Sequence, residues 1–427
     1  MVVKTNHCRK LNICMTFPLW YEPDMLIYPR IEIFSYLSHF SHKITWIISS
    51  GKTCPRKPLF LSGAEVHVVP YHHYVRNVSF LAKVINMIPH ILQRMHFILT
   101  TIEKGKYDLV FVRGSGIGIF DGLVATYIKR KSKVLFVYEL PNPLDQWEMI
   151  KMASPKHRSL HYLVSKFQER IGRFLLHQAD LILPISTVLQ DYLITNNGIP
   201  ASKILTIPVG IDVRAFSSQD GKQVTAKYQL NDSKIVIYVG NLDKARMLKL
   251  LIEAFAIVRS QKLNAKLLLI GKGDDAGNLR KLTDELGMNN SVIFIGHVSR
   301  SEIPDFIAAA DIGVSVVPPL PFYMFSSPIK MFEYMAMVKP VVANQEIPEH
   351  KEVIDQCGGG ILVPFTAAAF AIAIIELLNN PEKSANMGKK GREWVVQNRS
   401  YDILARQVEE RYLARMNETN TSRHGGK

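Results

Sequence analysis

Cysteine is scarce in this sequence of 427 residues, which contains only Cys8, Cys14, Cys54 and Cys357. No two of them form a CxxC pair, and none has the spacing to histidine that a zinc site needs, so neither a disulfide framework nor a zinc module is expected. The fourteen histidines include no HExxH pattern or other metal signature. The sequence therefore predicts a protein without a bound metal ion, in a reduced, cytosolic setting.

Long apolar runs are also rare. The run that comes closest to a membrane span, residues 361–378, is interrupted by Pro364 and carries Glu376 near its end. A strand at 360–363 followed by a helix at 367–378 explains it better than a span does. The chain starts with polar and basic residues, and the apolar run that follows is too short, so no secretory signal is predicted.

Acidic residues are fewer than basic ones, 37 against 52, and the net charge of +15 lies mainly in the first half. Residues 1–215 carry 26 Lys and Arg against 14 Asp and Glu, whereas residues 216–427 carry 26 against 23. This basic excess suits an anionic membrane surface or an anionic acceptor, although a merely solvated surface would look the same. No nucleic-acid-binding module is visible, so nucleic acid is not expected as a partner. The basic clusters are Lys129, Arg130, Lys131 and Lys133; Lys151, Lys156 and Arg158; and Lys166, Arg170 and Arg173.

The chain is too long for one ordinary core, and its 47% hydrophobic and 21% charged residues are typical of globular domains. Apolar runs of strand length alternate with helical patterns in both halves, which predicts two α/β domains with doubly wound parallel sheets. The predicted strands are 12–17, 44–48, 66–70, 108–112, 134–138, 181–184 and 204–208, then 235–239, 265–270, 292–295, 312–317, 340–343 and 360–363. The main predicted helices are 31–40, 80–102, 160–176, 248–258, 278–286, 303–310 and 367–378.

One segment, residues 326–336, carries the clearest functional pattern. Ser326 or Ser327 is predicted to cap a helix, and Pro328 suits its first position. Residues 340–343, PVVA, then predict a short buried strand after the helix. Because ligands bind at the carboxyl ends of strands in open α/β sheets, this helix is a candidate ligand site.

Lys330 and Glu333 are three residues apart, so both side chains project from one face near the start of that helix. A helix N-terminus attracts phosphate, the lysine adds a cation, and a carboxylate can accept hydrogen bonds from a ribose diol. The pair therefore suits a nucleotide-diphosphate site. The simpler alternative is a surface ion pair between the two side chains.

This segment resembles the donor-site helix of retaining glycosyltransferases with the GT-B fold, the family 4 or group 1 class. Those enzymes typically carry E-x7-E, whose second glutamate opens an EAMAxGxPVV pattern. Glu333 matches that glutamate, whereas the first falls at Phe325, and Val338 replaces the usual glycine. The segment is closer to a variant pattern, SPxKxxEYMAxGKPVV. Further resemblances are ADLILPIS at 179–186, IPVGID at 207–212, YVGNL at 238–242 and IGKG at 270–273.

The resemblance implies a GT-B fold with two Rossmann-like, doubly wound parallel-sheet domains that face each other across a cleft. We expect an acceptor-binding domain at residues 1–210 and a domain that binds the nucleotide-sugar donor at 211–385. A C-terminal helix at 386–416 is expected to cross back to the first domain, and residues 417–427 are expected to form a disordered tail.

On the donor side, Gly240 ends a strand, and its missing Cβ would let the backbone approach a phosphate. Asn241 stands where many members of the family have arginine, so we expect Arg246, rather than Lys244, to neutralise the diphosphate. A solvated Arg246 and a plain turn glycine at 240 are the alternatives. The expected donor-binding residues are Gly240, Asn241, Arg246, Gly271, Gly273, Val298, Ser327, Lys330 and Glu333.

On the acceptor side, Arg113 and Ser115 follow one predicted strand and Glu139 ends the next. An acid at the end of an apolar strand is unusual for a purely structural role. We expect these three residues on the acceptor side, with Glu139, Arg246 and Lys330 as the catalytic residues.

The resulting hypothesis is a metal-independent retaining glycosyltransferase of the hexosyltransferase type. It would move a sugar from a nucleotide-diphosphate sugar to a glycan or lipid-linked glycan in polysaccharide or glycolipid synthesis. No cofactor is expected, because cations and helix N–H groups would stabilise the leaving diphosphate. A nucleotide-sugar 2-epimerase and a non-catalytic GT-B subunit are the alternatives. The long predicted helix at 80–102 and its basic neighbours suggest a cytoplasmic protein at the inner face of a membrane.

Overall fold

The computed structural model describes residues 9–21, 29–50, 59–61, 63–70, 80–114, 117–144, 158–217, 220–261 and 263–424. The chain divides into two compact units. The first unit is formed by Met1–Pro208 together with Leu404–Lys427, and the second unit is Val209–Ile403. In each unit the core is a largely parallel sheet with helices on it.

The described part of the first unit contains a seven-stranded sheet in the order β3-β4-β2-β1-β5-β6-β7. Strand β3 is antiparallel to β4, and the other pairs are parallel. The strands are β1 (Asn12–Tyr21), β2 (Lys43–Ser50), β3 (Leu59–Leu61), β4 (Ala64–Pro70), β5 (Leu109–Arg113), β6 (Leu135–Leu140) and β7 (Leu181–Pro184). The helices of this part of the chain are α1 (Pro29–Ser35), α2 (Phe80–Gly105), α3 (Gly118–Lys131), α4 (Arg158–Gln178) and α5 (Thr187–Asn197).

Helices α2, α3 and α4 connect β4 to β5, β5 to β6, and β6 to β7. Helix α3 packs against both α2 and α4. These three connections run in the same direction along the sheet. Because such crossovers are right-handed, α2, α3 and α4 lie on the same face of the sheet, which agrees with their contacts. Strands β6 and β7 are buried along their whole length, which is typical of parallel strands covered on both faces.

A buried ion pair ties this helical layer to the sheet. Arg94 on α2 donates to both carboxylate oxygens of Asp121 on α3, at 2.7–3.1 Å. The same guanidinium donates to the hydroxyl of Ser49 and to the carbonyl oxygens of Phe17 and Ile47. Because all of these groups are buried, Arg94 fixes β1 and β2 against α2 and α3.

The described part of the second unit contains a six-stranded parallel sheet in the order β10-β9-β8-β11-β12-β13. The strands are β8 (Lys234–Val239), β9 (Ala265–Ile270), β10 (Val292–Gly296), β11 (Ile312–Ser315), β12 (Val341–Asn344) and β13 (Gly360–Val363). The helices are α6 (Lys222–Lys227), α7 (Lys249–Ser260), α8 (Ala276–Glu285), α9 (Ile303–Ala309), α10 (Ile329–Ala336), α11 (Pro348–Cys357), α12 (Ala367–Asn379) and α13 (Pro381–Asn398). The order of the strands reverses beside β8, which makes the β8–β11 pair the switch point of this sheet.

The end of the chain differs from the prediction of one helix at 386–416 followed by a disordered tail. Helix α13 ends at Asn398 and packs against α10 and α12 within the second unit. A further helix, α14 (Tyr401–His424), belongs to the first unit from Leu404 onward. Residues 417–424 are helical because Glu418 pairs with Arg415 at 2.6 Å one turn earlier, which favours continuation of the helix.

The predicted strand at 204–208 is wrong. Only Ile204 forms a bridge, with Ile182, although Ile207 N also donates to Pro184 O. A regular strand cannot continue through Pro208, which has no N–H to donate to a ladder. None of the described helices is long and apolar enough to cross a lipid bilayer.

Candidate functional site

The candidate site lies in the second unit, at the carboxyl ends of β8 and β11. Helix α10 begins after the loop that follows β11, and its first turn faces the end of β8. Ligands bind preferentially at such a switch point, because the loops on its two sides lead away in opposite directions and leave a crevice. The location agrees with the sequence prediction for Lys330 and Glu333.

The start of α10 differs from the predicted serine cap. Pro328 occupies the N-cap position, and no side chain caps the first turn. Ser327 Oγ instead accepts a hydrogen bond from Val209 N at 3.1 Å, and Ser326 Oγ donates to Tyr323 O at 2.6 Å. The serines therefore fix the loop before the helix. The uncapped first turn is left able to donate its N–H groups to an anion.

Lys330 is the most unusual side chain of the site. Its Nζ lies 3.9 Å from the centroid of the Tyr238 ring, and the residue is only 9% exposed. Within the described ranges, no acidic side chain lies within ion-pair distance of this ammonium and no acceptor forms a hydrogen bond with it. Burial lowers the pKa of Lys330 well below its usual value, the nearby charge of Arg246 lowers it further, and Glu333 opposes these effects. A bound anion would reverse this shift by giving the ammonium its missing partner.

Glu333 does not pair with Lys330. Its Oε1 accepts a hydrogen bond from Arg300 Nη1 at 2.9 Å, and the carboxylate is almost completely buried. The surface ion pair considered as an alternative for Lys330 and Glu333 is therefore absent from the described residues. Oxygen Oε2 of Glu333 makes no hydrogen bond to the part of the chain that the structure describes, so it can accept one from a ligand hydroxyl.

Arg300 was missed by the sequence prediction. It follows β10, and its guanidinium also lies 5.5 Å from the ring centroid of Phe216. The only signal in the sequence is its place in a loop at the carboxyl edge of the sheet. Nothing in the spacing of the residues indicates that it pairs with a glutamate on α10.

Arg246 lies in a short 3-10 turn, Lys244–Arg246, that follows β8. Its guanidinium is 5.0 Å from the ring centroid of Tyr323. Its charge lowers the pKa of Lys330, so the two cations are close enough to influence each other. The carbonyl oxygen of Asn241 accepts a hydrogen bond from Tyr238 Oη at 3.2 Å, which holds the aromatic ring beneath Lys330.

The predicted glycines serve two different purposes. A Cβ on Gly240 would lie 3.1 Å from Lys330 Nζ, so this glycine keeps space open beside the ammonium. A Cβ on Gly271 would lie 1.9 Å from Gly240 O, and one on Gly273 would lie 2.2 Å from the carbonyl carbon of Leu242. These two glycines are therefore required where neighbouring loops pack together. The side chain of Val298 packs against the hydrophobic core of the unit.

A buried polar network supports the loops behind Lys330. His350 Nδ1 lies 3.0 Å from Asn344 O, and Nε2 lies 2.8 Å from Ser315 Oγ. Since a carbonyl oxygen can only accept, Nδ1 donates and Nε2 accepts from the hydroxyl. Burial lowers the pKa of His350 to about 4, and the charge of Lys330 adds to this effect. The neutral imidazole thus links the ends of β11 and β12 to α11.

Glu349 on α11 forms a largely buried ion pair within the second unit. Its Oε1 accepts a hydrogen bond from Arg399 Nη2 at 3.1 Å, and Oε2 has no hydrogen-bond partner within the described residues. Burial raises the pKa of Glu349 to about 7, while the charge of Arg399 opposes this shift.

In the first unit, the structure brings Arg113 and Glu139 together. They are register partners at the ends of β5 and β6, and Arg113 Nη1 lies 3.3 Å from Glu139 Oε2. Glu139 is fully buried. Ser115, the third predicted acceptor-side residue, lies outside the described residues. Across the described ranges, no group of three or more His, Cys, Asp or Glu side chains could hold a metal ion.

Comparison with known families identifies the class. The profile described as "Glycosyl transferases group 1" matches residues 222–394, which include Gly240, Arg246, Arg300, Lys330 and Glu333. A second profile, "Glycosyltransferase Family 4", matches residues 32–215. The chain belongs to the group 1 glycosyl transferases. This assignment confirms the resemblance carried by Glu333 and the motifs around it.

Characterised relatives of this group 1 chain are distant. It is 25% identical over 247 residues to an N-acetyl-alpha-D-glucosaminyl L-malate synthase of Bacillus anthracis, covering 56% of this chain and 61% of that protein. It is 28% identical over 167 residues to an alpha-D-kanosaminyltransferase of Streptomyces kanamyceticus, covering 39% of this chain and 42% of that protein. The chain thus spans about two fifths to three fifths of the length of these relatives.

Solved structures confirm the predicted fold. HepE of Anabaena, in complex with UDP and glucose, matches with a TM-score of 0.69 and 18% identity, over 94% of this chain and 98% of that one. Sucrose-phosphate synthase from Thermosynechococcus elongatus matches with a TM-score of 0.69 and 19% identity, over 95% and 99%. The group 1 chain therefore has the GT-B fold, with two Rossmann-like α/β domains.

Proposed function

We propose that this protein transfers a sugar from a nucleotide-diphosphate sugar to a hydroxyl of a glycan or lipid-linked glycan, with retention at the anomeric carbon. The observation that carries the proposal is the buried ammonium of Lys330, which has no anionic partner among the described residues. It lies beside Gly240, near Arg246 and in the first turn of a helix at the sheet's switch point. Such a site needs an anion, and a diphosphate supplies one.

In this proposal, Lys330, Arg246 and the first turn of α10 hold the diphosphate. They stabilise the charge that grows on the leaving phosphate oxygen as its bond to the anomeric carbon breaks, so no metal ion is required. The acceptor oxygen forms its bond to that carbon on the face that the diphosphate leaves. The proton of the acceptor hydroxyl departs with the diphosphate.

Glu333 is proposed to bind the ribose of the donor. The ion pair with Arg300 fixes the carboxylate through Oε1, and Oε2 remains available to a ribose hydroxyl. Arg300 is thus a positioning residue for Glu333. Arg113 and Glu139 are proposed to contribute to the acceptor side from the first unit.

The activities for which related proteins are named support this chemistry. Relatives include a GDP-mannose-dependent phosphatidylinositol monomannoside mannosyltransferase of Mycobacterium tuberculosis and the capsular polysaccharide biosynthesis glycosyltransferase CapM of Staphylococcus aureus. The HepE structure holds UDP and glucose. These names favour a transferase of polysaccharide or glycolipid synthesis over the 2-epimerase and the non-catalytic subunit. We place the reaction in the cytoplasm, in keeping with the few cysteines.

A product assay tests the proposal. The protein is incubated with a panel of UDP and GDP sugars, with and without glycan and glycolipid acceptors, and the released nucleotide and sugar products are identified. We expect release of nucleoside diphosphate that depends on the acceptor, with the anomeric configuration of the donor retained in the product. Free monosaccharide formed without an acceptor would favour the epimerase. Failure to bind any nucleotide would favour the non-catalytic subunit.

A further inference from the structure

Helix α4 exposes a stripe of large apolar side chains that its own unit does not cover. Leu163, Phe167 and Phe174 are 63%, 57% and 42% exposed. Their spacing of four and then seven residues places them on one side of the helix. The opposite side, which includes Ser165, is buried against the unit. The stripe is therefore not needed to build the core of the unit.

Helix α2 carries a similar stripe. Ile85, Ile88 and Leu92 are at least half exposed and are spaced three and four residues apart. Between the two helices lies α3, whose Tyr127 is also exposed. We name this outward surface of the three neighbouring helices the α2–α4 face.

The charges on these three helices are strongly biased. Helices α2, α3 and α4 together contain ten Lys and Arg against three Asp and Glu. Asp121 is buried in its ion pair with Arg94, and Glu169 is paired with Lys166 and Arg173. The surface around the apolar stripes is therefore positive. Its exposed basic residues include Arg130, Lys131, Arg170 and Arg173.

We propose that the α2–α4 face docks on an anionic lipid bilayer. Helices that lie in a membrane interface typically expose aromatic and long aliphatic side chains next to basic residues. The leucine and phenylalanine side chains of α4 would enter the boundary between headgroups and acyl chains, where their burial is favourable. The basic residues would contact anionic headgroups, each contributing about 1 kcal/mol near the surface.

The position of this face would bring the acceptor side of the first unit close to the bilayer, an inference that rests on the proposed function. Crossover helices run antiparallel to the strands that they connect, so their first halves lie beside the carboxyl ends of those strands. Ile88 and Leu163 lie in such first halves, and Arg113 and Glu139 lie at the carboxyl ends of β5 and β6. A docked bilayer would thus border the edge of the sheet that carries the proposed acceptor-side residues. This arrangement suits an acceptor that is anchored in the lipid.

Vesicle flotation of the whole 427-residue chain tests the proposal. Vesicles of phosphatidylcholine alone are compared with vesicles that also contain phosphatidylglycerol. We expect the protein to float only with the anionic vesicles. The variant L163S/F167S should partition at least about tenfold less because two large apolar anchors are lost. Arg170→Glu should weaken binding most at low salt.

Ile372→Ser is the matched control, because Ile372 is 66% exposed on α12 of the second unit. It should float like the wild type. UDP and GDP binding is measured on every variant, so loss of lipid binding with intact nucleotide binding isolates the face. If the wild type floats with anionic vesicles but binds no nucleotide, the proposed function is refuted and the docking proposal stands.

Three results would overturn the docking proposal. One is failure of the wild type to float with anionic vesicles. Another is equal flotation of L163S/F167S and the wild type. The third is a wild-type dimer, detected by light scattering, that L163S/F167S converts to monomer without any vesicle binding, since a second copy of the chain would then cover this face.

Discussion

Lys330 places its ammonium 3.9 Å above the ring of Tyr238, and the described side chains offer it no ion-pair partner. The arrangement conflicts with the usual rule that buried charges are paired, because a ring face stabilises a cation by only about 2 kcal/mol even when desolvated. A site that holds a buried cation in this way is prepared for an anion. The predictions below follow from this site and from buried ion pairs of the same unit.

Gly240→Ala should weaken nucleotide binding by about tenfold while the protein remains folded. The new methyl group would lie 3.1 Å from both Lys330 Nζ and Tyr238 Oη, at a backbone φ of +152° that favours glycine. Thermal unfolding and nucleotide titration measure the two effects separately. Gly277→Ala is the control, because a Cβ there meets no atom within 4 Å and its φ is ordinary. Unchanged nucleotide affinity in Gly240→Ala would show that the nucleotide does not occupy the space beside Lys330.

Arg300→Met should destabilise the protein by roughly 3 kcal/mol, because it leaves the buried carboxylate of Glu333 without its ion-pair partner. Combining it with Glu333→Gln should recover much of the stability, since the uncompensated charge is then gone. Urea unfolding of the wild type, both single variants and the double variant gives the coupling energy.

Nucleotide binding should respond differently from stability in the same four proteins. The double variant should bind nucleotide as poorly as Glu333→Gln alone, because the ribose contact is lost even though the fold is restored. If the double variant binds nucleotide with wild-type affinity, Glu333 does not contact the nucleotide. The Arg300–Glu333 pair would then have a structural role only.

Glu349 should make stability depend on pH. Burial raises its pKa from 4.5 to about 7 in the folded state, so the folded protein binds more protons than the unfolded chain between these values. The stabilisation from this group is therefore complete below pH 4.5 and is lost as the pH rises through 7. Glu349→Gln should remove this dependence, whose total is on the order of 3 kcal/mol. Urea unfolding at pH 5 and pH 8 checks it, and an identical pH profile in both proteins would refute it.

Helices and strands with continuous apolar patterns were predictable. The strands of the second sheet follow the predicted runs closely because parallel strands are buried on both faces. Helix α11 was not predicted, since it contains few apolar residues and is delimited mainly by Pro348 and by Gly358 in the left-handed conformation. The helical end of α14 was missed for a similar reason, because local ion pairs rather than apolar periodicity extend it.

The candidate site could be predicted in part. Lys330, Glu333 and Gly240 could be predicted at one edge of the sheet because motif positions and strand ends are readable from the chain, and their donor-binding roles stay predictions. The Arg300–Glu333 pair could not be found, since it depends on which loops meet at the sheet edge. Ser327 is a residue type that often caps helices. Its hydroxyl instead accepts a hydrogen bond from Val209 N, which the tertiary fold brings close to it. Local preference was overridden there by a contact distant in sequence.

Isothermal titration calorimetry of Lys330→Met tests the central claim most directly. The wild type, Lys330→Met and the control Lys281→Met, whose lysine is exposed on α8, are titrated with UDP and GDP. Loss of a charge-assisted hydrogen bond of about 1.5–3 kcal/mol predicts binding roughly ten- to a hundredfold weaker in Lys330→Met, with the control unchanged. A folded Lys330→Met protein with wild-type nucleotide affinity, or a wild type that binds neither nucleotide, would contradict the account.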